Sequence, residues 1–128
     1  MKLLLDTCTF LWALSGAPQL SPRAAAMFRE PDNEIFLSAA TAWEIAVKHS
    51  SGKLRLPDRP ERFVPAMREE RGIASLAIDE ESALHASRLP LLHRDPFDRL
   101  LVGQAIVHGM TILTPDVIIS QYPARTMW

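Results

Sequence analysis

The sequence has a single cysteine, Cys8, and its four histidines are scattered without the spacing of metal ligands. One cysteine excludes an intrachain disulfide and a cysteine-based zinc cluster, and it is typical of a protein in a reducing cytosol. A strong charge of either sign is also missing, since the net charge is −1 and the pI is near 6.4. Binding to nucleic acid would therefore depend on local patches rather than on overall charge.

Long apolar runs are lacking as well. The amino-terminal segment MKLLLDTCTFLWALSGA has the outline of a signal peptide, but Asp6 interrupts its apolar part. A charge at that place costs about 2.5–3.5 kcal/mol on membrane insertion scales. No other apolar run approaches the ~20 residues that span a bilayer. We therefore expect a cytoplasmic protein without a membrane segment.

What is present is a globular composition, with 48% hydrophobic and 23% charged residues in a chain of 128. This length closes one core, and no repeat, low-complexity tract or long linker divides it, so we expect a single domain over residues 1–128. Short apolar segments alternate with helical patterns, which predicts strands at 2–5, 34–38, 73–78, 110–114 and 124–127. Helices are predicted at 7–14, 22–29, 39–51, 61–70, 80–88 and 96–108. The fold class is therefore α/β, with a mostly parallel sheet of four to five strands covered on both faces.

Four acidic residues fall where the strands of such a sheet end. Asp6 directly follows the first predicted strand, and Asp116 lies two residues past the fourth. Asp98 is in the first turn of the helix that leads back to the fourth strand, and Glu44 is within two turns of the start of the helix after the second. Ligands of open α/β sheets gather at the carboxyl ends of the strands, so all four carboxylates are predicted to point into one crevice.

Each acid also has a structural interpretation. Asp95, which precedes Pro96, has the position of a helix N-cap, and Asp98 suits the positive end of the helix dipole. Asp116 could be a turn residue, and Glu44 a solvated helix residue. Asp6 is hardest to explain structurally, because it interrupts an apolar segment and charged residues are seldom buried without a partner.

Their joint placement favours a metal site. Two unit charges 4 Å apart repel by about 4 kcal/mol at an effective dielectric constant near 20, so four acids in one crevice call for a cation. A site of oxygen ligands selects a hard ion, Mg²⁺ or Mn²⁺. Such an ion on a phosphodiester activates water and stabilises the leaving oxygen.

Four ordered stretches carry a family resemblance: LLLDT, SAATAWEIAVKHSSGKLRLP, HRDPFDRLLVGQA and TILTPD. Together they resemble PIN-domain ribonucleases, and most closely the VapC-type toxins of bacterial type II toxin–antitoxin pairs, over nearly the whole chain. The resemblance implies a three-layer α/β/α fold and Mg²⁺- or Mn²⁺-dependent endonucleolytic cleavage of RNA. It also implies a VapB-type antitoxin as partner, and a homodimer. The family's catalytic and metal-binding acids correspond to Asp6, Glu44, Asp98 and Asp116.

The same resemblance separates the two acids of HRDPFDRLL. The family's third acid lies directly before the apolar helix, which selects Asp98 for chemistry and leaves Asp95 as a helix start and a supporting acid. Thr7 and Thr114 match polar positions that line such sites, where we expect them to orient water or carboxylates.

Basic residues flank these motifs. Arg94 and Arg99 are candidates for contact with a substrate phosphate, which has to approach an anionic crevice. Five further basic residues lie near the loop after residue 50. They are interpreted by default as solvated surface residues, with RNA contact as the alternative: Lys48, Lys53, Arg55, Arg59 and Arg62. The four histidines are interpreted as structural or surface residues.

The apolar triplet Phe10, Leu11 and Trp12 has core packing as its simplest interpretation. The family implies a nearby groove for an antitoxin helix, which could deliver an arginine among the acids.

Three other functions compete with a nuclease. A phosphatase of the haloacid-dehalogenase type needs a second aspartate two residues after the first, where this chain has Cys8. A receiver-like signalling module needs a phospho-accepting aspartate at the end of a central strand, where the second and fourth predicted strands end at Ser38 and Thr114. A catalytically inactive PIN-fold binding module stays open, although the presence of all four acids argues against it.

Overall fold

The computed structural model describes residues 1–128 and contains five strands and six α-helices. The strands are β1 (Lys2–Leu5), β2 (Glu34–Ser38), β3 (Ala74–Leu76), β4 (Thr111–Leu113) and β5 (Arg125–Met127). The helices are α1 (Thr7–Ser15), α2 (Pro22–Arg29), α3 (Ala39–Ser50), α4 (Pro60–Glu70), α5 (Glu80–Ser87) and α6 (Pro96–His108). No helix is long and apolar enough to cross a lipid bilayer.

The five strands form one sheet in the order β3-β2-β1-β4-β5, and every neighbouring pair is parallel. The first strand of the chain therefore lies in the middle, where Leu3 is in register with Ile35 of β2 on one side and with Thr111 of β4 on the other. The predicted α/β class with a parallel sheet is confirmed, and all five strands are parallel.

Alternation along β1 divides the core into two halves. Leu3 and Leu5 face a cluster that includes Phe10 of α1, Ile45 of α3 and Val64 of α4. Leu4 faces the opposite cluster, which includes Leu101, Val102 and Ala105 of α6. Side chains of a strand point alternately to the two faces, so a strand covered on both sides reads as a continuous apolar run. The three consecutive leucines thus hold a three-layer α/β/α arrangement together.

Three strands are shorter than predicted, and each is limited by the length of its partner. The strand expected at 124–127 is limited to Arg125–Met127, because Arg125 pairs with Thr111, the first residue of β4. The strand expected at 73–78 is limited to Ala74–Leu76, because Leu76 pairs with Ser38, the last residue of β2. The strand expected at 110–114 is limited to Thr111–Leu113, which pairs with the last three residues of β1. A short 3-10 helix at Ile119–Gln121 was not predicted.

Helix α6 begins as its sequence indicates. Asp95 has extended backbone geometry, and its Oδ1 accepts a hydrogen bond of 2.9 Å from the amide of Phe97. Pro96 occupies the first helical position, where its missing N–H is not needed. The N-cap predicted for Asp95 is therefore confirmed.

Gly103 allows α6 to lie against α5 at very short range. A Cβ atom built on Gly103 would lie 2.7 Å from the carbonyl oxygen of Ser82 and 3.0 Å from the Cβ of Ala86. Both values are below ordinary van der Waals contact, and Ser82 contributes backbone that has no room to rotate away.

We expect Gly103→Ala to destabilise the fold by about 1–3 kcal/mol, the usual effect of overpacking a tight core. Alanine is the better helix former by about 1 kcal/mol, so any net loss has to come from the contact between the two helices. Urea unfolding of the two proteins measures the difference. An unchanged or higher midpoint would contradict the close approach of α5 and α6.

Candidate active site

A cavity of about 110 Å³ opens at the carboxyl edge of the sheet. Its lining brings together all four acids singled out from the sequence, with Asp95 and Thr7, and adds Cys8 and Lys48. The eight residues are Asp6, Thr7, Cys8, Glu44, Lys48, Asp95, Asp98 and Asp116. Elements distant in sequence meet here because parallel strands all present their carboxyl ends at one edge.

Asp6 turns the chain from β1 into α1. Its Oδ1 accepts a hydrogen bond of 2.8 Å from the amide of Thr9, which makes it the N-cap of α1. Its Oδ2 accepts a hydrogen bond from the hydroxyl of Thr114, just beyond β4. Burial raises the pKa of Asp6 despite these donors. The side chain is thus held by an amide of α1 and by a hydroxyl that follows β4.

Glu44 points into the cavity from the second turn of α3, where its side chain is buried. Its Oε1 accepts a hydrogen bond from the hydroxyl of Thr7, and its Oε2 forms an ion pair with Lys48 at 2.6 Å. The hydrogen bond to Glu44 raises the pKa of Lys48. Lys48 was expected on the solvated surface. Its position four residues after Glu44 on one helix is the signal that predicts an ion pair between the two.

Asp98 is the acid with the least compensation. It lies in the first turn of α6, and burial together with the nearby charge of Asp95 raises its pKa to about 7. Loss of hydration and a neighbouring like charge both disfavour the carboxylate form. Its side chain contacts His93, whose Nε2 lies 3.0 Å from Oδ2 of Asp98.

Asp116 is oriented by its own turn. Its Oδ1 accepts hydrogen bonds from the amides of Ile118 at 2.8 Å and Ile119 at 3.3 Å. Its Oδ2 lies 3.2 Å from Nε2 of His93, so one imidazole lies between Asp98 and Asp116. His93 is a site residue that sequence analysis missed, because scattered histidines carried no spacing signal. Its position five residues before Asp98, in the same motif, is the feature that could have identified it.

The two arginines beside the motif differ in placement. The guanidinium of Arg99 donates hydrogen bonds to the carbonyl oxygens of Ala86 at 3.1 Å and Leu89 at 3.2 Å, at the end of α5. It does not line the cavity, and its side chain ties α6 to α5. Arg94 is exposed and precedes Asp95 in the chain.

The donor chemistry of the cavity fits a hard divalent cation. Five carboxylates line it together with one lysine, and such oxygen ligands are those that Mg²⁺ and Mn²⁺ prefer. Carboxylate oxygens of Asp98 and Asp116 lie within 4.8 Å of each other. Burial and the nearby charge of Asp95 raise the pKa of Asp98 more than His93 lowers it, and this electrostatic setting favours a bound cation.

Comparison with known proteins is consistent with this geometry. Residues 3–124 match the model of the PIN domain family. Ribonuclease VapC16 from Mycobacterium tuberculosis is 32% identical over 87 residues, which cover 62% of this chain and 62% of that relative. The present chain therefore spans less than two thirds of that protein's length.

Solved structures show the same fold. VapBC2 from Rickettsia felis, bound to a DNA fragment from its promoter, superposes with a TM-score of 0.71 at 13% identity and covers 99% of this chain and 98% of its own. DNA-bound VapBC from Salmonella typhimurium gives 0.67 at 19% identity, with coverage of 99% and 97%. VapBC-1 from nontypeable Haemophilus influenzae gives 0.65 at 18% identity, with the same coverage.

The raised pKa of Asp98 predicts how the metal-free protein responds to pH. A carboxyl whose pKa is higher in the folded than in the unfolded state stabilises the fold fully below its ordinary value of 3.8. That contribution is lost as the pH rises through about 7. Asp98→Asn removes this titration, so its melting temperature relative to the wild type should rise between pH 5 and pH 8 in the presence of EDTA.

Asp32→Asn is the matched control, because Asp32 is exposed in the loop before β2. Its effect on the melting temperature should be the same at both pH values. A constant difference between Asp98→Asn and the wild type would contradict the burial of an uncompensated carboxyl.

Proposed function

The chain belongs to the PIN domain family, and on that premise we propose that it is a Mg²⁺- or Mn²⁺-dependent endoribonuclease that acts as the toxin of a toxin–antitoxin pair. The observation that carries the proposal is the convergence of Asp6, Glu44, Asp98 and Asp116 in one cavity. The ribonuclease relative supports RNA as the substrate class. RNA substrate and antitoxin are both found in the cytoplasm, which is the location we propose. A homodimer remains our expectation from the family.

Within this proposal the carboxylates of Asp6, Glu44, Asp98 and Asp116 would hold the ion. A bound ion would activate water for attack on a phosphodiester and would neutralise the charge that develops on the leaving oxygen. Thr114 and Thr7 keep Asp6 and Glu44 oriented by donating to them. These carboxylates are therefore held before the ion arrives, so little reorganisation accompanies binding.

Positive charge near the cavity serves the approach of the RNA. Lys48 is the cation that lines the cavity, and 45% of its side chain is exposed beyond its ion pair with Glu44. Arg94 is exposed at the start of the segment that carries Asp95 and Asp98. We assign contact with the substrate phosphates to these two side chains, since a phosphate reaches five carboxylates only with cations beside it.

A second surface suits the antitoxin. An apolar groove of about 370 Å³ lies between α1, α4 and the loop that joins α3 to α4. It is lined mainly by Leu11, Leu14, Leu54, Leu56, Phe63 and Met67. Such a groove accepts the apolar face of an amphipathic helix. Of the triplet Phe10, Leu11 and Trp12, only Leu11 lines this groove. Phe10 is fully buried in the core, and Trp12 packs against Trp128.

Charge exchange at the cavity tests the site assignment. We expect Asp98→Asn to abolish Mn²⁺-dependent cleavage of a labelled RNA, whereas Asp95→Asn retains measurable activity. Asparagine is as good an N-cap as aspartate, so the second variant changes charge and preserves the start of α6. Circular dichroism serves as the control for folding. Equal loss of activity in both variants would mean that Asp95 also holds the ion.

Inhibition tests the partner. The probe is a peptide from the C-terminal segment of the protein encoded by the adjacent reading frame, together with a version in which its arginines are alanine. We expect the first to inhibit and the second to inhibit at least tenfold less, because arginine pairs bidentately with carboxylates. Leu56→Glu in the groove should also weaken inhibition while basal cleavage stays unchanged. Equal inhibition by both peptides would leave steric blocking as the mechanism.

A further inference from the structure

The ring of His93 is fixed by a hydrogen bond on its far side. Nδ1 accepts from the backbone amide of Asp95 at 3.2 Å. An amide N–H can only donate, so Nδ1 presents its lone pair and carries no proton. The proton of the neutral ring is therefore on Nε2. The tautomer of His93 follows from backbone geometry alone.

That assignment makes Nε2 a donor toward the cavity. It lies 3.2 Å from Oδ2 of Asp116, with which it forms a hydrogen bond, and 3.0 Å from Oδ2 of Asp98, a close contact without hydrogen-bond geometry. A histidine that binds metal through Nε2 needs a bare nitrogen there and a proton on Nδ1. A proton on Nδ1 would face the amide hydrogen of Asp95. The ring is thus placed to hold carboxylates rather than to bind an ion directly.

The backbone of His93 is in turn held by Tyr122, 29 residues later in the chain. The hydroxyl oxygen of Tyr122 accepts hydrogen bonds from the amides of Leu92 at 3.1 Å and His93 at 2.9 Å. Tyr122 is buried, with 3% of its surface exposed, and it belongs to the apolar cluster beneath α6. One phenol oxygen thereby immobilises the segment that leads into Asp95. Tyr122 and the amide of Asp95 together set both the position and the orientation of the imidazole.

We propose that His93, seated by Tyr122, is a positioning residue that orients Asp98 and Asp116 for a divalent cation. The inference rests on the proposed metal-dependent function and goes beyond it by assigning two residues outside the acidic set. Asp116 then has both oxygens engaged, Oδ1 by amides of its own turn and Oδ2 by His93. Removal of an outer partner of this kind typically weakens metal affinity about 10–100-fold.

Two substitutions at position 93 separate the functions of the two ring nitrogens. Glutamine places an N–H donor near the position of Nε2, whereas asparagine reaches only the position of Nδ1. We expect the dissociation constant for Mn²⁺, measured by calorimetry on the intact chain, to rise about 10–100-fold in His93→Asn and much less in His93→Gln. His108→Gln is the matched control, because His108 pairs with Asp79 at 3.4 Å outside the cavity, and it should leave the affinity unchanged.

Tyr122→Phe tests the hydrogen bonds that hold the backbone of His93, and it changes no residue that lines the cavity. It keeps the buried ring and removes only the oxygen that accepts from the two amides. We expect weaker Mn²⁺ binding. We also expect nitrogen NMR shifts of His93 that move from the pattern of a single Nε2–H tautomer toward a mixture of the two. A purely structural role of Tyr122 would lower stability and leave the His93 tautomer unchanged.

The spectrum with Mg²⁺, which is diamagnetic, completes the test. Retention of the Nε2–H tautomer in the Mg²⁺-bound wild type supports positioning, whereas a switch to Nδ1–H would show direct ligation and overturn the inference. Equal Mn²⁺ affinities of the glutamine and asparagine variants would overturn it as well, with the proposed function intact. A wild-type chain that binds neither ion would overturn both.

Discussion

Mutual repulsion of carboxylates is the constraint on which the cavity depends. Two unit charges 4 Å apart repel by about 4 kcal/mol at an effective dielectric constant near 20, and five acids line a volume of about 110 Å³. Specific donors stabilise these carboxylates: the Thr9 amide and the Thr114 hydroxyl for Asp6, Thr7 and Lys48 for Glu44, and turn amides for Asp116. Asp98 contacts only the imidazole of His93, which also contacts Asp116. Burial and the charge of Asp95 therefore raise its pKa.

Most of the fold was predictable because local signals and the global fold agree. The LLL run of β1 is buried on both faces, and Asp95 is the N-cap of α6, as its position before Pro96 predicts. The N-cap role of Asp6 in α1 was not predicted. Parallel strands then bring the acids to one edge, so their grouping followed from topology without any knowledge of side-chain contacts. Where the boundaries differ, a neighbouring strand ends sooner than the apolar pattern does, and no local signal encodes the length of a partner.

The finer features of the site could not be predicted because they depend on long-range orientation. His93 acts through a ring nitrogen whose protonation state is decided by the Asp95 amide, and through a hydroxyl 29 residues away on Tyr122. Arg99 has the sequence position of a phosphate contact, yet its guanidinium donates hydrogen bonds to the carbonyl oxygens of Ala86 and Leu89 at the end of α5. Helical spacing shows which residues are adjacent on one element, but it does not show where a long side chain turns.

The strand order has a consequence for the timing of synthesis. β1 is made before its neighbour β4, which begins at Thr111, and about 110 residues separate Asp6 from Asp116. Ribosomes add about 5–20 residues per second, so the nascent chain carries the first acid for about 5–20 s before the last one exists. During that interval neither Thr114 nor Asp116 is available to complete the cavity. The topology therefore delays assembly of the site until the segment around Thr114 and Asp116 has been made.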